Sequence, residues 1–298
     1  KLHLPPPPNR HVLRPRLLDR LHTTLRAGHR LTVVAAPAGY GKTALLSAWL
    51  HAERERSDDV RAAWLALDEG DNDVVKFWRG AITSLQQATR RQGLGAEALG
   101  LLQTPGPPAF NSILTALINE LTDGVSPVVL ALDDYHVIQS AAVHGSLSQF
   151  IDRLPPAVHV ALATRAEPPV GLARLRVRGQ LLELGSADLR FRPAEAAAFL
   201  AQWVDDVAGA DVDRLETRTE GWAAGLQLAA LALQAAPTTA ERGAFVRAFA
   251  GSQRYVLDYL VEEVLEHQPA DVQDFLLRTA ILARFSAEAA TALLDPPA

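Results

Sequence analysis

The sequence predicts an α/β fold, a doubly wound and mostly parallel sheet continued by an all-helical part. Three observations carry that expectation. Apolar runs at 31–35, 61–67, 127–133 and 158–163 alternate with helix-like segments, the rhythm of βαβ units. The string Ala36-Pro-Ala-Gly-Tyr-Gly-Lys-Thr43 stands between the first run and a helix-like segment at 44–50. That strand–loop–helix setting makes it a candidate phosphate-binding loop. From Pro193 onward strand signals cease and helix follows helix.

In chain order, residues 1–9, with prolines at 5–8, read as extended, and a helix opens at 14–21 with Pro15 tolerated in its first turn. The 61–67 strand closes in the turn-rich Asp68-Glu-Gly-Asp-Asn-Asp73. Helical patterns cover 74–90 and 110–122, separated by a Gly/Pro-rich stretch near 103–108. The run at 127–133 has five apolar residues in succession, as a strand buried on both faces needs. A helix near 140–153, a buried-type strand at 158–163 and a short fifth strand at 181–184 follow. The change of pattern sets a first domain at 1–190.

The loop string carries the chemistry. Glycines at 39 and 41 let main-chain N–H groups curl around an anion, and the following helix points its positive end at the same place. The cradle is read as Pro37, Ala38, Gly39, Tyr40, Gly41, Lys42, Thr43 and Ala44, with Lys42 reaching β- and γ-phosphates and Thr43 holding Mg²⁺. Ala36 stands where such loops begin with glycine, which a positive φ would strain. The strand ending in Asp133-Asp134 supplies the acidic partner at the sheet's carboxyl edge. Asp133 is placed for Mg²⁺ and Asp134 for polarising the attacking water. An aspartate in place of the commoner glutamate predicts slow hydrolysis. Arg165, after the next strand, is a candidate γ-phosphate sensor, or else a surface partner of Glu167. Gly221 and Gly225 suggest close helix packing, Trp222 core packing, and His136 a local hydrogen-bonding role.

Composition bounds the rest. The 298 residues are 48% hydrophobic and 21% charged, enough for a large core and two or three domains. Without cysteine there are no disulfides or thiolate metal sites, which fits a cytoplasmic protein. A net charge of −5, from 29 basic and 34 acidic residues, gives no overall nucleic-acid footprint. No apolar run approaches the roughly 18 residues a membrane span needs; the nearest, 223–236, is interrupted by Gln227 and Gln234. No membrane partner is expected, no signal peptide is visible, and the nine histidines lack metal-ligand spacing. Beginning at Lys1 and ending in Asp-Pro-Pro-Ala, the chain reads as a piece of something longer.

The strings APAGYGKT, WLALDEGDND, LALDDYH, LATRAEPP, DLRF and TEGWAAGLQLAAL, in this order, resemble the MalT-like large ATP-binding regulators of the LuxR type. These belong to the signal-transduction ATPases with numerous domains. The resemblance implies a P-loop NTPase domain at 1–190, a helical subdomain at 191–252 and a winged-helix-like subdomain at 253–298. It implies phosphate and Mg²⁺ roles for Gly39, Gly41, Lys42, Thr43, Asp133 and Asp134, and a sensor role for Arg165. Val12 and Arg14 occupy the adenine-contacting segment, whereas Gly221-Trp222-Ala223 lacks the proline of the family's Gly-x-Pro. The implied ligands are ATP or ADP with Mg²⁺. Self-association belongs to the ATP state, and the inducer and DNA are engaged only through domains outside these residues. Two other readings stand beside this switch. One is a small-molecule kinase with Arg174, Arg176 and Arg178 on a lid; the other is a scaffold that holds ADP without hydrolysing it.

Overall fold

Each apolar run of the first 190 residues becomes a strand of one sheet in the computed structural model. It describes residues 1–56, 60–104, 110–122, 126–205, 207–236, 238–249, 254–266, 268–282 and 286–294. The strands β1 (Leu31–Ala35), β2 (Arg61–Ala66), β3 (Val128–Asp133), β4 (Val158–Thr164) and β5 (Leu181–Gly185) stand in the order β2-β3-β4-β1-β5, every pairing parallel. β3 and β4 are buried along their whole length, which is why their apolar runs are unbroken rather than alternating.

Alternate strand residues feed two cores on opposite faces. Val128, Leu130 and Leu132 join Phe77, Trp78, Leu117 and Phe150; Val129 and Ala131 join Leu17, Leu21, Leu46 and Trp49. The second face is covered by α1 (Pro15–Arg26) and α2 (Lys42–Arg56). The first is covered by α3 (Val74–Thr89), α4 (Ala96–Leu102), α5 (Phe110–Thr122), α6 (Ala141–Asp152) and α7 (Leu172–Val177). Each fully buried Leu or Phe contributes about 1.5–3 kcal/mol, so these layers fix the carboxyl edge on which the site is built. The N-terminal prolines are not loose: Ser47 Oγ donates to Pro5 O at 2.6 Å, and Ala66 N–H donates to Lys1 O at 2.9 Å.

Beyond β5 come α8 (Ser186–Leu189), α9 (Pro193–Leu200), α10 (Gly209–Thr219) and α11 (Ala223–Ala235). The chain divides into two compact units, Lys1–Gln227 and Leu228–Ala298, the division falling inside α11. In the second unit follow α12 (Thr239–Ala248), α13 (Arg254–Leu260), a π-type turn at Val261–Leu265, α14 (Ala270–Thr279) and α15 (Ala287–Leu294). The sequence boundary at 190/191 falls within the first unit; that at 252/253, like residues 105–108 of the Gly/Pro-rich stretch, lies outside the described residues. Among the described residues, no helix is long and apolar enough to cross a membrane.

One packing expectation fails. Gly221 and Gly225 do not form a stripe on a helix. Gly221 sits in the turn before α11 at φ 69°, where a Cβ would lie 2.4 Å from Phe191 O. Gly225 makes room for an indole instead, since its Cβ would lie 2.7 Å from Trp222 Cε3.

Candidate functional site

The loop between β1 and α2 lies at the carboxyl edge of the sheet. Ala36 N–H donates to Thr164 O at 3.1 Å, continuing the β1–β4 ladder into the loop. Ala36 is not among the described non-glycine residues with positive φ, so the strain expected of it does not arise; it is simply a buried strand-end residue. The turn is made by Gly39 and Gly41, both at φ 76°. A Cβ on Gly41 would meet nothing within 4 Å, so the loop faces open space there. The first turn of α2 leaves its N–H groups without intrahelical acceptors. Pro37 is exposed, Ala38, Gly39, Tyr40 and Ala44 are half-buried, and Tyr40 packs against the core of the α1–α2 face.

Lys42 is buried, and its Nζ donates to Pro37 O at 2.9 Å. Thr43 Oγ1 donates to Asp133 Oδ1 at 3.0 Å, joining α2 to the end of β3 across the position of β4. Asp133 also accepts the Asp134 N–H at 3.1 Å. Asp134 adopts a left-handed conformation, φ 56°, which aspartate tolerates better than most residues. Its side chain is half exposed while Asp133 is buried. His136 Nδ1 lies 4.0 Å from Asp134 Oδ1.

The electrostatics follow from this crowding. Burial pushes Asp133 up to about 6, with Asp134 adding to the rise and the Thr43, Asp134 N–H and Lys42 contacts opposing it. Burial lowers Lys42 below its ordinary value, reinforced by Arg165 and opposed by Asp134 and Asp133. Arg165, half-buried after β4, therefore shares the field of the loop. The one ion pair of Glu167 found among the described residues is with Arg176, at 4.0 Å. Among the described residues, no group of three or more His, Cys, Asp or Glu is arranged to hold a metal ion by itself. A carboxylate and a hydroxyl, Asp133 and Thr43, could hold a hard cation here if a ligand's own oxygens completed the set.

The structure thus brings Lys42, Thr43, Asp133, Asp134 and Arg165 together. It places the two adenine candidates differently. Val12 is half-buried on the segment before α1. The Arg14 guanidinium turns to the α8–α9 connection, donating to Leu189 O at 2.7 Å and Arg190 O at 2.8 Å and lying 4.6 Å over the Phe191 ring. Its Nε is 3.4 Å from Glu195, and burial lowers it to about 10. Its carbonyl bonds all come from Nη2, and Nε is buried without a hydrogen-bond partner.

Two sets of residues escaped the sequence reading. Asn72 clamps the segment after the acidic pair, donating to Val137 O and accepting from Gln139 N–H and Ser140 N–H at 2.7–3.0 Å. Its string, WLALDEGDND, was visible, but nothing in it points to that contact. Trp222 Nε1 donates to Ala38 O at 3.1 Å and Ala224 N–H to Gly39 O at 2.9 Å. Trp222 read as core packing gave no sign of this bond.

A five-stranded parallel sheet with a glycine loop after its first strand, a Lys-Thr pair opening the next helix and an acidic strand end defines the P-loop NTPase fold. Solved structures bear out the class. A signal-transduction ATPase with numerous domains and a tetratricopeptide-repeat sensor from Pyrococcus horikoshii superposes with TM-score 0.54 at 16% identity, over 98% of this chain and 38% of that one. A Walker-type ATPase of Pyrococcus abyssi gives 0.53 at 16% identity, over 97% and 90%. In sequence the chain is 37% identical over 273 residues to the HTH-type transcriptional regulator MalT of Serratia proteamaculans and 36% to that of Klebsiella pneumoniae, 91% of this chain in each case. Residues 261–298 match the MalT winged helix domain. The chain is therefore MalT-like over the span it shares with these regulators. It spans 29% of the length of the MalT relatives it matches.

Proposed function

We propose that this chain is the nucleotide-binding switch module of a multidomain, cytoplasmic transcriptional activator, binding ATP or ADP with Mg²⁺ and hydrolysing ATP slowly. The observation that carries this reading is the Thr43–Asp133 hydrogen bond beside the buried Lys42. It joins the two motifs that a Mg²⁺-nucleotide needs, although they lie 90 residues apart in the chain. Lys42 would exchange the Pro37 carbonyl for phosphate oxygens, Thr43 and Asp133 would hold the cation, and Asp134 would orient water from its half-exposed position. Mg²⁺ supplies charge neutralisation of the phosphates. Arg165 would answer to the γ-phosphate, giving the ATP and ADP forms different free energies.

Self-association in the ATP form, an inducer and DNA belong to the same reading. The MalT relatives are HTH-type transcriptional regulators, and inducer and DNA are assigned to parts of such proteins outside the matched span. The kinase reading loses support, because Arg174 pairs with Asp152 at 2.9 Å and Arg176 with Glu183 at 2.7 Å. The test combines nucleotide titration with light scattering. Lys42→Ala is expected to lose ATP and ADP binding; Asp134→Ala is expected to bind ATP yet hydrolyse it more slowly. Mass in solution is expected to rise with ATP and not with ADP. Full ATP affinity in Lys42→Ala would refute the loop assignment, and no hydrolysis by the unaltered chain would favour the ADP-holding scaffold.

A further inference from the structure

The phosphate loop is held from behind by a turn nearly two hundred residues away. Ala38 O accepts the Trp222 indole N–H and Gly39 O accepts the Ala224 N–H. In a trans peptide the C=O and N–H of one unit point in opposite directions. Fixing the carbonyls of Ala38 and Gly39 therefore also fixes the N–H groups of Gly39 and Tyr40, which share those peptide planes and face the other way. Those two N–H groups lie in the stretch of loop that must curl around an anion.

The donors are themselves fixed. Ala224 is the second residue of α11, so its N–H lacks an intrahelical acceptor and is free for the loop. The turn before it has two consecutive positive φ values, 51° at Glu220 and 69° at Gly221. Phe191 N–H donates to Gly221 O at 2.8 Å, and Arg190 pairs with Glu220 at 2.8 Å. The same 188–191 segment carries Arg14 on its carbonyls and over its Phe191 ring. An unbroken series of contacts thus runs from the segment before α1, through Phe191 and Gly221, to the back of the phosphate loop.

We propose that Trp222 and Ala224 are positioning residues that latch the phosphate loop in its anion-receiving form, so that polyphosphate affinity depends on the α10–α11 turn being seated. This rests on the nucleotide reading and deepens it. By linkage, nucleotide in the loop stabilises the seated turn by the same factor that the turn strengthens nucleotide binding.

The test uses the whole 298-residue chain and Mg²⁺-ADP as probe. Trp222→Phe keeps an aromatic ring and removes the indole donor. Ala224→Pro removes the main-chain donor at a first-turn position where proline is tolerated. Gln227→Ala, at an exposed position of α11, is the control, with both donors kept. Trp222→Phe and Ala224→Pro are each expected to weaken ADP binding roughly five- to tenfold, the equivalent of one hydrogen bond. Their nucleotide-free melting temperatures should stay near that of the unaltered chain, and Gln227→Ala should bind within about twofold of it. The indole emission change on adding ADP should shrink in Trp222→Phe alone. Unchanged ADP affinity in both latch variants overturns the proposal. So does a loss of affinity matched by an equal loss of nucleotide-free melting, which would make the pair architectural. If the unaltered chain binds no ADP, the nucleotide reading itself fails, a result separable from failure of the latch.

Discussion

Gly221→Ala isolates the strain on which the α10–α11 turn depends, and Gly28→Ala supplies the reference. Both glycines have nearly the same φ, 69° and 70°. Placing alanine in the left-handed region costs about 1–2 kcal/mol, offset by about 0.4–1 kcal/mol through the stiffer unfolded chain. At Gly28 a Cβ meets nothing within 4 Å, so the net cost there is about 1 kcal/mol or less. At Gly221 a Cβ would stand 2.4 Å from Phe191 O and 2.9 Å from Phe191 N. Both are main-chain atoms and cannot rotate aside, so the turn must retreat and lose the Phe191 N–H···O Gly221 bond. That adds about 1 kcal/mol for the bond, and repacking brings the expected total to roughly 2–3 kcal/mol. Urea unfolding followed by tryptophan emission measures the two costs, and ADP titration shows whether the phosphate loop feels the retreat. Gly221→Ala is expected to be the less stable by about 1–2 kcal/mol and alone to bind ADP more weakly. Equal destabilisation of the two variants, or full ADP affinity in Gly221→Ala, refutes the reasoning.

Three further expectations follow. His159 is fully buried between His29 O and Thr32 Oγ1, and burial lowers it to about 4. The unfolded chain takes up that proton near 6.5, so the stability is intact above 6.5 and lost as pH falls toward 4, roughly 2 kcal/mol of it between pH 7 and 5. His159→Gln removes the titration: urea midpoints at the two pH values should show its deficit against the unaltered chain narrowing by about that amount, and a pH-independent deficit would contradict the assignment. Arg14→Met should cost about 2–3 kcal/mol in urea unfolding, because it leaves the 188–190 carbonyls and Glu195 short of a charged donor; a change under about 0.5 kcal/mol would show that the fork contributes little. Asp133, at about 6 without a cation, should release roughly half a proton when Mg²⁺-ADP binds at pH 6 and almost none at pH 8. Calorimetry in buffers of different ionisation heat counts that proton, and no difference between the two pH values would place the cation elsewhere.

The sheet was legible because burial on both faces leaves the unbroken apolar strings of β3 and β4, and the loop because glycine spacing, lysine and threonine all bear on one anion. The Thr43–Asp133 contact follows from the fold class once both motifs sit at strand ends. The α10–α11 turn was not legible for two reasons. Its bonds to the loop end on main-chain carbonyls and one comes from a main-chain N–H, which carry no sequence signature, and they join residues 184 or more apart. Gly221 and Gly225 misled because four-residue spacing suggests a helix face, whereas one is spared a clash with Phe191 and the other with Trp222. Arg14 was placed by resemblance near a base; its burial and its carbonyl partners could be seen only in three dimensions.

The same geometry shows where a nucleotide could find its leverage. As assembled, the site holds two like-charged pairs, Asp133 against Asp134 and Lys42 against Arg165, with burial acting on Asp133 and Lys42. The Lys42–Pro37 bond satisfies a donor, and Asp134 and Asp133 offset only part of the cost of burying the Lys42 charge. A cation beside the acids and phosphate beside the bases would relieve both pairs at once, and a third phosphate would add charge on the basic side alone. That added charge would distinguish ATP from ADP at Lys42 and Arg165, while the Ala38 and Gly39 carbonyls are held by the turn that opens α11. A shift of the loop toward the basic pair would pull on Trp222 and Ala224 directly. On the proposed reading, the difference between the two nucleotides would then reach the α10–α11 turn through two hydrogen bonds.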